Sequence, residues 1–154
     1  MTNYRDILRD LRELRPDIPL KAYTAVEIHF FAEKLSMPYE QVLTRLKDAG
    51  LGSLPGGGAE IVADRARNKL CKGKADAAQW LEVHRAAHKI GLRTNCTMLY
   101  GTVETLEERV DHMIRLRDLQ AETGGFQTFI PLAYHPENNA LGTLPAPTGV
   151  AAAA

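Results

Sequence analysis

The stretch DAAQWLEVHRAAHKIGLRTNCTMLY, residues 76–100, reads as a helix followed at once by a strand. Asp76 with Gln79 fits a capping box, in which each side chain reaches the backbone N–H of the other's residue. Trp80, Val83, Ala87 and Ile90 recur at helical spacing and form one apolar stripe. Gly91 suits the end of that helix. Residues 94–99 then read as a strand, with Asn95, Thr97 and Leu99 on one face and Cys96, Met98 and Tyr100 on the other. A helix that runs into a strand through a short turn is a piece of a βα repeat.

The same alternation extends in both directions. Upstream, 4–15 reads as a helix stopped at Pro16, 20–24 as a strand and 27–35 as a helix. Ser36 with Pro38 begins another helix through 49, with Tyr39, Val42, Leu43 and Leu46 on one face. Residues 53–55 read as a strand running into Gly56, Gly57 and Gly58. Downstream, Thr105 with Glu108 is a second capping box. It opens a helix to 122, with Leu106, Val110, Met113 and Leu116 expected to face in. Gly124 and Gly125 close it, and 126–132 is the last strand. Strands separated by helices point to an α/β fold with a parallel sheet. Right-handed connections then place the strands side by side in chain order with the helices outside. A complete TIM-type (β/α) barrel takes about 250 residues. The expectation is therefore a partial, half barrel of about four parallel strands with outer helices, or else a small doubly wound domain. The domain spans 1–144. Residues 145–154, with too few large apolar groups to pack, read as a loop and a disordered tail.

Composition narrows the function classes. Lys plus Arg equals Asp plus Glu at 19 each, so no basic field for nucleic acid or membrane exists. No apolar run approaches the roughly 20 residues that span a bilayer, and no signal peptide opens the chain. A cytoplasmic location is expected. Cys71 and Cys96 are the only cysteines. They make a disulfide unexpected in a reducing compartment and are too few for a zinc or cluster site.

Ligands of parallel βα folds bind at the carboxyl ends of the strands. That rule selects 24–29, 56–60, 99–101 and 133–138. In the second, three glycines precede Glu60. They suit a ligand that touches the backbone, with Glu60 accepting from a ribose hydroxyl or an ammonium. They equally suit a tight strand-to-helix turn, with Glu60 favoured by the helix dipole. The segment is not a P-loop, because no Gly-Lys-Ser/Thr follows. Tyr134-His135-Pro136-Glu137-Asn138 offers a strand-end histidine that could move a proton or bind a carboxylate, or is a plain turn. Glu27 and His29 are a ligand pair or the first turn of a helix. Asn95 on a buried strand faces inward and needs partners that a ligand could supply. His84 and His88 stand i,i+4 without the glutamate of an HExxH site and read as a solvated helix face. Cys71, in a lysine-rich loop, reads as an ordinary thiol.

Longer motifs carry a resemblance. Lys21-Ala-Tyr-Thr-Ala-Val-Glu-Ile-His-Phe30, Gly52-Ser-Leu-Pro-Gly-Gly-Gly-Ala-Glu-Ile61, Gly91-Leu-Arg-Thr-Asn-Cys-Thr-Met-Leu-Tyr-Gly101, Gly124-Gly-Phe-Gln-Thr-Phe-Ile-Pro-Leu-Ala133 and His135-Pro-Glu-Asn138 resemble the aminofutalosine synthase family of radical S-adenosylmethionine enzymes. Related synthases share the Pro55-to-Glu60 segment, but the stretch around Glu27 and His29 is more similar to aminofutalosine synthase. The resemblance implies a 4Fe–4S cluster that cleaves S-adenosylmethionine to a 5′-deoxyadenosyl radical. The radical adds to 3-(1-carboxyvinyloxy)benzoate in menaquinone biosynthesis. It also implies that Gly56, Gly57, Gly58 and Glu60 face S-adenosylmethionine, and that His29, Asn95, Tyr100, His135 and Glu137 line the substrate side.

One departure is large. The family's Cys-x-x-x-Cys-x-x-Cys motif is absent, and Cys71 and Cys96 cannot replace three clustered thiolates. The chain reads as an internal fragment or truncated frame, silent alone, whose partner would be the missing N-terminal barrel half. Two other readings stand beside this one: a non-catalytic small-molecule-binding half-barrel completed by a partner chain, and a metal hydrolase using His29, His135 and Glu137. A half-barrel bares the edges of its first and last strands, so the isolated chain is expected to self-associate.

Overall fold

A computed structural model describes residues 2–138 together with Gly142, Leu144 and Pro147. Along the chain run α1 (Thr2–Leu14), β1 (Leu20–Lys21), α2 (Ala25–Leu35), α3 (Tyr39–Asp48), β2 (Leu51–Leu54), α4 (Asp64–Leu70), α5 (Ala77–Lys89), β3 (Arg93–Tyr100), α6 (Leu106–Thr123) and β4 (Phe126–Ala133). The four strands form one sheet in the order β1-β2-β3-β4, and each neighbouring pair is parallel. This is the expected α/β sheet. A doubly wound sheet reverses its strand order at a switch point, and none of these strands does so. The order is that of part of a TIM-type barrel. The expected tail, 145–154, lies outside the described residues except for Pro147.

Local signals explain most boundaries. Capping boxes at Thr24/Glu27, Asp76/Gln79 and Thr105/Glu108 start α2, α5 and α6. Glu27 is therefore a first-turn helix residue, its carboxylate accepting from the Thr24 N–H at 2.8 Å. Gly124, at φ 62°, ends α6 in the left-handed region that glycine enters without strain. The main core joins α2, α3 and α5 to the sheet through Ile28, Leu43, Leu46, Leu54, Trp80 and Val83, all fully buried. Among the described residues no helix is long and apolar enough to cross a membrane.

Three features differ from the sequence reading. Helix α4 was not expected, because DRARNKL has no apolar stripe; it buries only Ala66 and Arg67. The buried face of α6 is His112, Leu116 and Leu119, while Leu106, Val110 and Met113 are 52, 50 and 43% exposed. Both sets repeat at i, i+4 and i+7, and the polar His112 disguised the stripe that meets the sheet. His84 and His88 do not form a solvated face either. His84 is fully buried, with its ring centroid 4.0 Å from that of Trp80 and 5.4 Å from that of Phe126.

The two histidines belong to a directed chain of hydrogen bonds. Thr123 Oγ1 donates to the Leu119 carbonyl, so it accepts from His88 Nδ1–H at 2.6 Å. His88 Nε2 then accepts from the Thr94 hydroxyl at 2.8 Å, and Thr94 Oγ1 accepts from His84 Nδ1–H at 2.8 Å. His84 Nε2 ends the chain, buried and without a partner among the described residues. Burial first, then the neighbouring His88, pushes the His84 pKa down to about 3.

Candidate ligand site at the strand ends

Beyond β2 the chain does not turn straight into a helix. Residues 55–61 climb alongside β3 as an irregular ribbon, and every carbonyl from Gly56 to Ile61 is held from within the protein. Thr97 Oγ1 donates to the Gly56 carbonyl at 2.6 Å and Trp80 Nε1 to the Gly57 carbonyl at 3.3 Å. The guanidinium of Arg67, itself 5% exposed, donates to the carbonyls of Gly58, Ala59, Ile61 and, from the following loop, Ala75. The Leu99 N–H donates to the Glu60 carbonyl at 2.8 Å. Just beyond, the Val62 N–H donates to His112 Nδ1 at 3.1 Å, and His112 Nε2–H donates to the Thr97 carbonyl at 3.0 Å. These two bonds fix the tautomer of His112, and burial pushes its pKa down to about 4.

Packing explains two of the glycines. A Cβ on Gly56 would lie 2.7 Å from the backbone of Cys96, so only glycine lets the ribbon approach β3. Gly58 sits at φ +87°, and a Cβ there would lie 2.5 Å from Val26 Cγ2. Gly57 has room, its nearest neighbour being Thr24 Cγ2 at 3.5 Å. Glu60 is the strained residue, at φ 46° without being glycine. Non-glycine residues in this region cost of order 1–3 kcal/mol and gather at functional sites. Its carboxylate meets Lys74 Nζ at 3.2 Å.

The neighbouring rim is built from the ends of β3 and β4. Tyr134 is buried and its N–H donates to the Tyr100 carbonyl at 2.9 Å. His135 and Glu137 follow it, both exposed, and Asn138 adopts φ 57°. The loop after β3 is organised by Glu104, whose fully buried side chain accepts from the Gly101 and Thr102 N–H groups at 2.5 and 2.8 Å. Arg109 completes the set at 2.9 Å from Glu104 and stands over the Tyr100 ring, 5.4 Å from its centroid. Burial alone would raise the Glu104 pKa, but its hydrogen bonds from Thr102 and Gly101 hold it below the usual value. Arg67, His112 and Glu104 were all missed in the sequence. Arg67 lies in a polar run with no period, and Glu104 stands beside a capping box that accounted for the region without it.

The nine expected site residues divide by location. Gly56, Gly57, Gly58 and Glu60 form the ribbon, and His135 and Glu137 share its end of the sheet. Asn95 lies deeper, near the start of β3, where its Oδ1 accepts from Lys21 Nζ at 3.3 Å. Tyr100 stands five residues further along the strand, on the other face, packed with Ile61, Ala66 and Met98 against the helices. His29 is on the helix layer as well. Its Nδ1 accepts from Tyr39 Oη at 2.7 Å, at the edge of a cavity of about 630 Å³ between α2, α3 and α5.

Metal chemistry finds no ligand set here. Among the described residues no three His, Cys, Asp or Glu side chains are placed to hold a metal ion. Cys71 and Cys96 are both buried. Burial raises both thiols, Cys96 to about 11, which opposes the thiolate a cluster needs.

A parallel βα sheet with its strands in chain order, carrying a glycine ribbon and a carboxylate at its strand ends, places the chain in the (β/α)-barrel class. No family model matches the chain, but individual proteins do. It is 56% identical over 138 residues to aminodeoxyfutalosine synthase of Thermus thermophilus, covering 90% of this chain. It is 50% identical over 131 residues to aminodeoxyfutalosine synthase of Streptomyces coelicolor, covering 85%. Against 5-amino-6-(D-ribitylamino)uracil–L-tyrosine 4-hydroxyphenyl transferase 2 of Methanosarcina mazei it is 44% identical over 142 residues, covering 92%. The chain spans 37, 34 and 37% of these relatives' lengths. It is thus homologous, over most of its length, to about a third of the aminodeoxyfutalosine synthases.

Proposed function

We propose that this chain forms one wall of a radical S-adenosylmethionine barrel that joins a 5′-deoxyadenosyl group to 3-(1-carboxyvinyloxy)benzoate in menaquinone biosynthesis. The carrying observation is the 56% identity to aminodeoxyfutalosine synthase, which extends over 138 residues and so takes in strand-end loops as well as core. In this reading Glu60 accepts from the ribose hydroxyls, and the bare backbone at Gly56, Gly57 and Gly58 lets the nucleoside approach. Lys74 holds the Glu60 carboxylate in place. Asn95, His135 and Glu137 orient the substrate, while His29 and Tyr100 support the wall from the helix side. A 4Fe–4S cluster, held by thiolates outside these residues, would supply the electron that cleaves S-adenosylmethionine. Two buried, unclustered thiols do not fit it, so this chain alone is inactive and the remaining barrel is its partner.

A graft tests this. The 138 matched residues replace the corresponding stretch of the Thermus thermophilus enzyme. The reconstituted hybrid is expected to release carbon dioxide and form aminofutalosine, and Glu60→Gln in the hybrid to lower turnover about 100-fold, in the range of a lost charged contact to a reacting ligand. A hybrid that folds and holds its cluster but forms no product would sink the reading.

A further inference from the structure

The glycine ribbon has spent all its acceptors and kept its donors. Each carbonyl from Gly56 to Ile61 accepts a hydrogen bond from the protein. Among the described residues the N–H groups of Gly57, Gly58 and Glu60 donate to none. Peptide geometry gives the direction of those donors. In a trans peptide the C=O of one residue and the N–H of the next point opposite ways, and no peptide here is cis. The Gly57 and Ala59 carbonyls are taken by Trp80 on α5 and Arg67 on α4. The N–H groups of Gly58 and Glu60 therefore point away from the helix layer. The Gly56 carbonyl is taken by Thr97 on β3, so the Gly57 N–H points away from that strand.

An ammonium stands at the Glu60 side chain. Lys74 Nζ is 3.2 Å from Glu60 Oε1, with its side chain 46% exposed. Successive backbone N–H groups that converge near a positively charged side chain make an anion-binding concavity. We propose that the N–H groups of Gly57, Gly58 and Glu60, with the Lys74 ammonium, form a cradle for a carboxylate. The backbone of the segment offers a ligand donors only, and a carboxylate is the acceptor-only group. Lys74 offsets the charge of Glu60, which would otherwise repel it. The choice of carboxylate rests on the radical-enzyme reading, whose two ligands carry an aryl carboxylate and an amino-acid carboxylate; the cradle itself rests on the hydrogen bonds.

The full 154-residue chain, labelled with nitrogen-15, is titrated with isophthalate and with its neutral diamide. In a second arm it is titrated with S-adenosylmethionine and with 5′-deoxyadenosine, which lacks the carboxylate. The amide resonances of residues 57, 58 and 60 are expected to move with a carboxylate and to stay still with its uncharged counterpart. A response to isophthalate assigns the cradle to the aromatic substrate, and one to S-adenosylmethionine alone assigns it to the amino-acid carboxylate. Lys74→Gln should weaken binding about tenfold, as loss of one charged hydrogen bond does, and Lys74→Arg should restore it. Equal movement with the neutral ligands, no movement with either carboxylate, or unchanged binding in Lys74→Gln overturns the cradle. An inactive graft with intact carboxylate shifts would sink the enzymatic reading and leave the cradle standing; an active graft without shifts would do the reverse.

Discussion

Helices α5 and α6 begin alike and end in different surroundings. Both start at a capping box and both carry a histidine fully buried against β3. Yet α5 lies in the middle of the helix layer and buries Ala77, Trp80, Val83, His84, Ala86 and Ala87, whereas α6 buries only His112, Leu116 and Leu119. The apolar flank of α6 is left open, and on β4, the last strand of the sheet, Phe129 and Leu132 are 39 and 48% exposed. No strand among the described residues pairs with the far edge of β4. Periodicity sets which residues of a helix are apolar; the neighbours supplied by the rest of the fold decide which of them are covered.

The contrast breaks most visibly at Trp80. Its indole fills the core under the glycine ribbon and holds the Gly57 carbonyl. Trp80→Ala is expected to cost about 3–5 kcal/mol, the range for a large aromatic removed from a packed core. Met113→Ala on the open flank of α6 should stay within about 0.5 kcal/mol. Urea unfolding of the two variants compares them, and similar losses would mean that the flank is covered in solution.

The buried histidines come next. His112 satisfies a backbone donor at Val62 and a backbone acceptor at Thr97, so His112→Leu leaves both unpaired and should cost about 2–3 kcal/mol. His84→Leu removes a nitrogen that already lacks a partner, and Thr94 keeps His88. Its cost should be smaller by at least about 1 kcal/mol. Equal losses by chemical denaturation would show that His84 Nε2 is satisfied after all.

Both rings also make stability depend on pH in one direction. Their folded pKa values, about 3 for His84 and about 4 for His112, lie below the ordinary 6.5. The unfolded chain therefore binds protons that the folded chain refuses. Their contribution is complete above pH 6.5 and is lost as pH falls toward the folded values. The slope approaches about 1.4 kcal/mol per pH unit for each. Urea midpoints between pH 7.5 and 5 should fall accordingly, and less steeply in His84→Leu. A flat profile would contradict the burial of both rings.

Much of the fold was legible because its strongest signals are local. The capping boxes at Asp76 and Thr105, the stripe Trp80–Val83–Ala87 and the glycines after α5 and α6 act over a few residues, and they placed two of the helices and the two strands that follow them. The ribbon was only half legible. Three consecutive glycines announced a special backbone, but Gly56 proves to serve close approach to Cys96, which no neighbouring residue in the sequence reveals. Arg67 reads as surface until Gly58, Ala59, Ile61 and Ala75 are seen around it. Of the four α6 residues expected to face in, Leu116 does, but His112 and Leu119 lost to Leu106, Val110 and Met113 because a histidine with two backbone partners looks polar in sequence and behaves as core in space.

The smallest effect on stability should carry the largest effect on association. Leu106, Val110, Met113 and Ile114 on α6 and Phe129 and Leu132 on β4 expose apolar surface at one end of the sheet, and a free strand edge beside such surface templates pairing with another chain. Val110→Glu combined with Met113→Lys changes two half-exposed positions whose side chains bury little in the folded chain, so thermal unfolding should move by no more than about 0.5 kcal/mol. The added charges would have to be desolvated in any contact across this flank, and the unpaired edge would then have only backbone bonds to offer. Sedimentation should shift from oligomer in the parent toward monomer in the double variant. A parent already monomeric at high concentration would mean that this end of the sheet is not the adhesive one, and that its exposed residues tolerate water without a partner.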